Sequence, residues 1–199
     1  MALTTYCSND LSNGISYSCQ SIPVKGFMPN GVIINRDDID YSTFTMAAGK
    51  QNTVSNFPLK SSKFGYVVQQ PDVDPYQGSQ VTMEQGTYMN TFTKEVHLLV
   101  VAPADIVADV LVDQLARGEF VVILRKKAPL GDIEYIIYGL DGGLKATEIT
   151  QEYYNDDTKG AVAVTLTEEG APSFARFLDA GSDSATETLM TTLITDPNA

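Results

Sequence analysis

Apolar and polar positions change rhythm near residue 91. From Thr91 to Val101, alternation through Phe92, Lys94 and Val96 runs into the tract Leu98-Leu99-Val100-Val101, which predicts a buried strand. Pro103 then opens a stretch in which Ile106, Val107, Val110, Leu111 and Leu115 recur at helical spacing. Asp105 stands in its first turn, Arg117 in its last and Gly118 just beyond, so the pattern predicts the main helix at about 103–117. Phe120–Leu124 reads as a strand, Ala128–Asp132 as a turn and Ile133–Tyr138 as the hairpin partner. Gly139-Leu140-Asp141-Gly142-Gly143 breaks the chain. Alternation resumes over Leu144–Thr150, and Ala161–Thr167 is a clean strand after a turn at 155–160.

The first half is less regular. Residues 1–22 are dominated by small polar residues and read as an arm. Between Ile22 and Asn35 the apolar positions are interrupted by Pro23, Gly26, Pro29 and Gly31, which predicts two short strands about a Pro-Asn-Gly turn. Arg36–Lys63 is mixed, with an acidic cluster at Asp37, Asp38 and Asp40, and any strands in it should be short. Phe64–Gln70 reads as a strand, Pro71–Gly78 as a loop, and Val81–Glu84 with Thr87–Tyr88 as a tight hairpin about Gln85-Gly86. Near the end, Glu168–Leu178 suggests a helical turn with Phe174, Phe177 and Leu178 on its apolar side, 180–184 a linker, and Glu187–Thr195 a final strand. The expected architecture is an α+β fold, mainly β. One domain covers 23–179, with a long loop-hairpin at about 69–88 and arms at 1–22 and 180–199.

Composition narrows the function. The chain has 199 residues, 43% of them apolar, with 10 Tyr, 8 Phe and no Trp, a profile that suits a sheet-rich protein with its own core. Its 25 acidic against 13 basic residues give a net charge of −12, which repels phosphate backbones and argues against stable nucleic-acid binding. No apolar run is of signal-peptide or membrane-spanning length. Cys7 and Cys19 read as free thiols of a reducing compartment, with no basic neighbour to activate them.

No catalytic constellation emerges. The single histidine, His97, lies mid-strand without a nucleophile motif anywhere in the chain. One His and two Cys cannot furnish a zinc shell, and the calcium candidates Asp72-Val73-Asp74 and Asp37-Asp38-Ile39-Asp40 lack the glycine and distal glutamate of an EF-hand. The glycine loop at 139–143 lacks the spacing of a phosphate-binding loop and reads as a wide turn. These searches leave no cofactor, no metal and no enzymatic role, and point to a protein that builds or binds.

One resemblance bears on what it builds. The order of strand Phe92–Val101, helix Pro103–Gly118, strand Phe120–Leu124 and a hairpin strand ending in Tyr138-Gly139, then Gly143-Leu144 and Ala161-Val162-Ala163-Val164-Thr165-Leu166-Thr167, resembles the tail-tube fold of bacteriophages. Ring proteins of the tail and neck and secretion-system tubes share that fold. The resemblance covers about half of the chain; Arg36–Lys63 and the N-terminal arm lie outside it. It implies an antiparallel β-sandwich or barrel with a flanking helix, assembling in the virion, from host cytoplasm, into stacked hexameric rings. Partners are then further copies and other tail or neck proteins, with DNA only in transit through an acidic channel and no membrane. Tyr76, Val81, Met83, Tyr88 and Phe92 become candidate inter-subunit contacts. A monomeric binding module using Tyr76, Tyr88 and Tyr153-Tyr154 is the alternative.

Overall fold

A computed structural model describes residues 14–15, 24–101, 108–128 and 134–196. Among these residues eleven strands form two sheets: β1 (Phe27–Asn35), β2 (Thr45–Met46), β3 (Thr53–Asn56), β4 (Tyr66–Gln69), β5 (Gln80–Glu84), β6 (Thr91–Val100), β7 (Phe120–Lys126), β8 (Glu134–Tyr138), β9 (Lys145–Gln151), β10 (Val162–Ala171) and β11 (Arg176–Leu178). The larger sheet runs β2-β3-β11-β8-β7-β1-β4, and the smaller β5-β6-β10-β9. The smaller is antiparallel throughout, and in the larger only the β3–β11 pair is parallel. The fold is α+β and mainly β, as its strand-rich pattern predicts.

β7 shows how sequence sets the layering. Val121 and Ile123 face one side and Val122 and Leu124 the other, and all four are sealed from solvent. On one side Val122 and Leu124 join Val96, Leu98, Val164 and Leu166 of the smaller sheet in an inter-sheet core. On the other, Val121 and Ile123 meet Val54, Phe57, Leu178, Met190 and Leu193. The chain thus has three layers around two cores, with the larger sheet in the middle.

Arg36–Lys63 holds only the short strands β2 and β3, as its mixed pattern predicts, and contributes buried Ile39, Val54 and Phe57 to the second core. The third layer corrects one expectation. Residues 180–199, expected as an arm ending in a strand, hold instead the helix α2 (Asp183–Ile194), which buries Met190 and Leu193. Five threonines from 186 to 195 favour a strand locally, but their hydroxyls donate back to carbonyls four residues earlier, as Thr186 does to Ser182 and Thr192 to Thr188. Ser182 caps the helix by accepting from the Ala185 N–H, and Leu189, Met190, Leu193 and Ile194 supply the apolar stripe.

Other boundaries move for identifiable reasons. The Pro-Asn-Gly of 29–31 is not a turn: β1 is one strand whose register against β7 shifts between Phe27 and Gly31, a bulge that accommodates the missing Pro29 N–H. β5 pairs with β6, Met83 opposite Phe92, so Thr87–Tyr88 belongs to the connecting loop. Strand β10 continues to Ala171 and β11 follows, where a helical turn was expected. Of the expected main helix, Ala108–Val112 is a π-helical turn leading into α1 (Asp113–Arg117), with Leu115 buried, and 102–107 lie outside the described residues. The Ala128–Asp132 turn is described only at Ala128, and Cys7, Cys19 and nearly all of the 1–22 arm also lie outside.

Candidate assembly surfaces

One end of the sandwich is fastened by buried charge. Lys94 on β6 and Glu168 on β10 pair at 3.1 Å, with side chains 1% and 0% exposed, and Lys94 also reaches Asp141 at 3.2 Å. Asp141 takes Arg176 of β11 at 2.7 Å and accepts from the Ser173 hydroxyl. Burial opposes its charge, yet the Arg176 hydrogen bond and the Lys94 and Arg176 charges outweigh burial and hold its carboxyl below the usual range.

The glycine loop between β8 and β9 completes this cluster. Gly139 and Gly143 sit at φ of 83° and 85°, and the Gly139 and Gly142 N–H groups both donate to the Glu168 carboxylate. The loop does cradle an anion, but it is the chain's own Glu168. Arg36 donates to the Asp141 carbonyl and pairs with Glu119, which also takes Lys145 at 2.8 Å. Every carboxylate here holds a cation, so the cluster ties β6 and β10 to the larger sheet. Only the lone Lys94 within β6's apolar alternation hinted at it in the sequence.

The loop after β4 is docked rather than projecting. Gln70 donates through its side-chain amide to the Leu99 carbonyl and accepts the Leu99 N–H, continuing the β6 edge beyond β5. Tyr76, at φ 58°, is 3% exposed; its hydroxyl lies 3.2 Å from the Pro29 and Val68 carbonyls and burial raises its pKa. This corrects its assignment as an inter-subunit contact, because Tyr76 is part of the inter-sheet core. The other four candidates cluster near one end of the β5–β6 hairpin. Met83 is 60% and Tyr88 97% exposed, Val81 is half-buried against the core, and Phe92 packs edge-on against Phe174.

The smaller sheet presents a polar outer face and, among the described residues, two unpaired edge strands, β5 and β9, with α1 packed beside β9. Its inward positions, Val96, Leu98, Val164 and Leu166, are buried, which turns Thr82, Glu84, Glu95, His97, Thr165 and Glu148 outward. Glu95 accepts from Gln80, and His97 Nε2 lies 3.9 Å from the Glu95 carboxylate. A groove of about 540 Å3 borders this face, lined by His97, Asp74, Asp157 and Thr165 among others. Among the described residues the His97 ring makes no hydrogen bond to a hydroxyl or thiol.

The acidic turns are occupied locally. Asp40 accepts from Ser42 and Thr43, whose hydrogen bonds hold its carboxyl below the usual range, and Asp38 pairs with Lys63 at 3.1 Å. Among the described residues no group of three or more His, Cys, Asp or Glu is placed to hold a metal ion. None of the described helices is long and apolar enough to cross a membrane. Set beside protein-family models, curated proteins and solved structures, the chain matches none.

Proposed function

We propose that this protein is a structural subunit that closes into rings by pairing β5 of one copy with β9 of the next, as a component of a phage-type tail tube or neck ring. The observation that carries this reading is the direction of the two edge strands, β5 and β9. The sheet β5-β6-β10-β9 has four strands and strict antiparallel alternation, so its edge strands run in opposite directions. Copies related by rotation about an axis along the strands then meet β5 against β9 antiparallel, and the ladder continues across every junction. Such a head-to-tail contact repeats until the ring closes.

The face turned outward from the sandwich supports a channel wall. It is rich in threonine and glutamate, and the chain carries a net charge of −12, a combination that lets a polyanion such as DNA pass without adhering. The role involves self-assembly and no turnover. Negative-stain microscopy of the concentrated protein tests it: rings or tubes support the reading, and particles that stay monomeric at every concentration contradict it.

One observation favours a second reading, that of a binding module. Tyr88, Tyr153 and Tyr154 are 97%, 75% and 101% exposed. Saturable binding of a protein or glycan by a stable monomer, lost when these tyrosines are replaced, would establish that reading instead.

A further inference from the structure

We infer that the buried Lys94, Asp141 and Glu168 form a self-processing site that joins Lys94 to Asp141 through an isopeptide bond, with Glu168 as the catalytic base. The inference does not rest on ring closure, because every group it needs lies within one chain. The ion pairs described above are the reactant state, held by the freshly folded protein.

The three side chains bring the groups that such a bond requires: a primary amine, a carboxyl carbon and a second carboxylate to move protons. Lys94 Nζ lies 3.2 Å from Asp141 Oδ2 and 3.1 Å from Glu168 Oε2. The Lys94 and Glu168 side chains are 1% and 0% exposed, and that of Asp141 is 15% exposed. Each carboxylate is also fixed from behind. Glu168 accepts from the Gly139 and Gly142 N–H groups, while Asp141 Oδ1 takes Arg176 at 2.7 Å and Oδ2 accepts from the Ser173 hydroxyl at 3.0 Å. Amine and carboxyl are thus at contact distance before any reaction. Fixed proximity of this kind is worth an effective concentration on the order of 10⁵ M or more, enough to offset the excess of water that opposes amide formation in solution.

The step balances without a further reactant. Glu168 withdraws a proton from the Lys94 ammonium, and the freed lone pair of Nζ attacks Asp141 Cγ. Arg176 faces the negative charge carried by Oδ1 in the tetrahedral intermediate. The Cγ–Oδ2 bond then breaks, and Oδ2 leaves as water with two of the three ammonium protons, the third staying on the amide nitrogen. Glu168 ends as the carboxylate it began as, and nothing is oxidised or reduced.

The product suits its surroundings. The bond removes the opposite charges of Lys94 and Asp141 from a dry site, where each costs desolvation. Glu168 keeps its two N–H donors, and Arg176 keeps the Gln51 carbonyl at 2.8 Å and the Asn52 side-chain oxygen at 3.1 Å. A covalent tie then runs from β6 of the smaller sheet to the loop after β8 of the larger, constraining the unfolded chain as a disulfide would.

Mass spectrometry of the full-length chain, freshly folded and after prolonged ageing at neutral pH, tests this. The aged wild type is expected to lose the mass of one water, to resist cleavage after Lys94 by a lysine-specific protease, and to yield a peptide pair joined at Lys94 and Asp141. Lys94→Arg, its fold checked by circular dichroism, keeps its mass, and Glu168→Gln forms the bond at least about a hundredfold more slowly. An aged wild type of unchanged mass overturns the inference. So does water lost within Asp141-Gly142 alone, the succinimide open to an Asp-Gly sequence, or a Glu168→Gln chain that joins Lys94 as fast as the wild type.

Discussion

Lys94 and Glu168 face each other at 3.1 Å across neighbouring strands, both closed to water, and the glycine loop that follows β8 wraps the carboxylate of the pair. Breaking such a pair by removing one partner leaves a buried charge uncompensated. Lys94→Met is therefore expected to cost about 3–5 kcal/mol in denaturant unfolding. Lys94→Met combined with Glu168→Met recovers part of that loss, because Asp141 and Arg176 still neutralise each other. Two additive losses would show that the pair does not act as a unit.

Acid acts on the same cluster through Asp141. Its folded pKa lies below its unfolded value, so its contribution to stability is fully present above the unfolded value and is lost as pH falls through the folded one. The stability gap between the wild type and Asp141→Asn is thus constant from pH 7 to about 5 and narrows below about 4. Urea unfolding at several pH values measures it, and a gap that widens on acidification would run against this assignment.

The docked loop makes a steric prediction at Gly31. A Cβ there would sit 2.6 Å from the Leu124 side chain, 2.7 Å from the Tyr76 hydroxyl and 3.2 Å from the Ile123 carbonyl. Gly31→Ala should destabilise the fold by about 1–3 kcal/mol, and combining it with Tyr76→Phe should relieve part of that strain. Equal effects of Gly31→Ala with and without the Tyr76 hydroxyl would mean that the loop is not held where it is described.

Helix α2 is expected to behave as core rather than as an arm. Leu193→Ala should cost about 2–5 kcal/mol, the range of buried leucine truncations, whereas the exposed Thr188→Ala on the same helix should change stability little. Thermal unfolding of the two variants separates a packed helix from a loose tail, for which both changes would be silent.

How far the sequence foretold this depends on where the deciding interactions lie. Strands β6, β7, β8 and β10 were legible because their alternation is local and each is lined with β-branched or aliphatic residues. Helix α2 was not, since its threonines carry strand propensity and only the i−4 back-bonds and the burial of Met190 and Leu193 settle the matter. The Pro29 bulge depends on pairing to β7 and β4, nearly 100 and about 40 residues away. Of the candidate contacts, Met83 and Tyr88 are exposed as a surface role requires. Tyr76 was misplaced because nothing near it in sequence reveals the Pro29 and Val68 carbonyls that receive its hydroxyl. The charge cluster draws on stretches of chain as far apart as Arg36 and Arg176 and was missed for the same reason.

Ring closure through the β5 edge is the central claim, and proline substitution at adjacent positions tests it most directly. Of Thr82 and Met83, alternation points one N–H toward β6 and the other toward the open edge. The measurement is the assembly mass in solution of the wild type, Thr82→Pro and Met83→Pro, with unfolding midpoints alongside. The account predicts a wild-type particle of fixed multiple mass, and one proline variant that keeps its midpoint yet sediments as a single chain. A wild type that is a single chain at all concentrations, or rings that persist in the variant of unchanged stability, would contradict it.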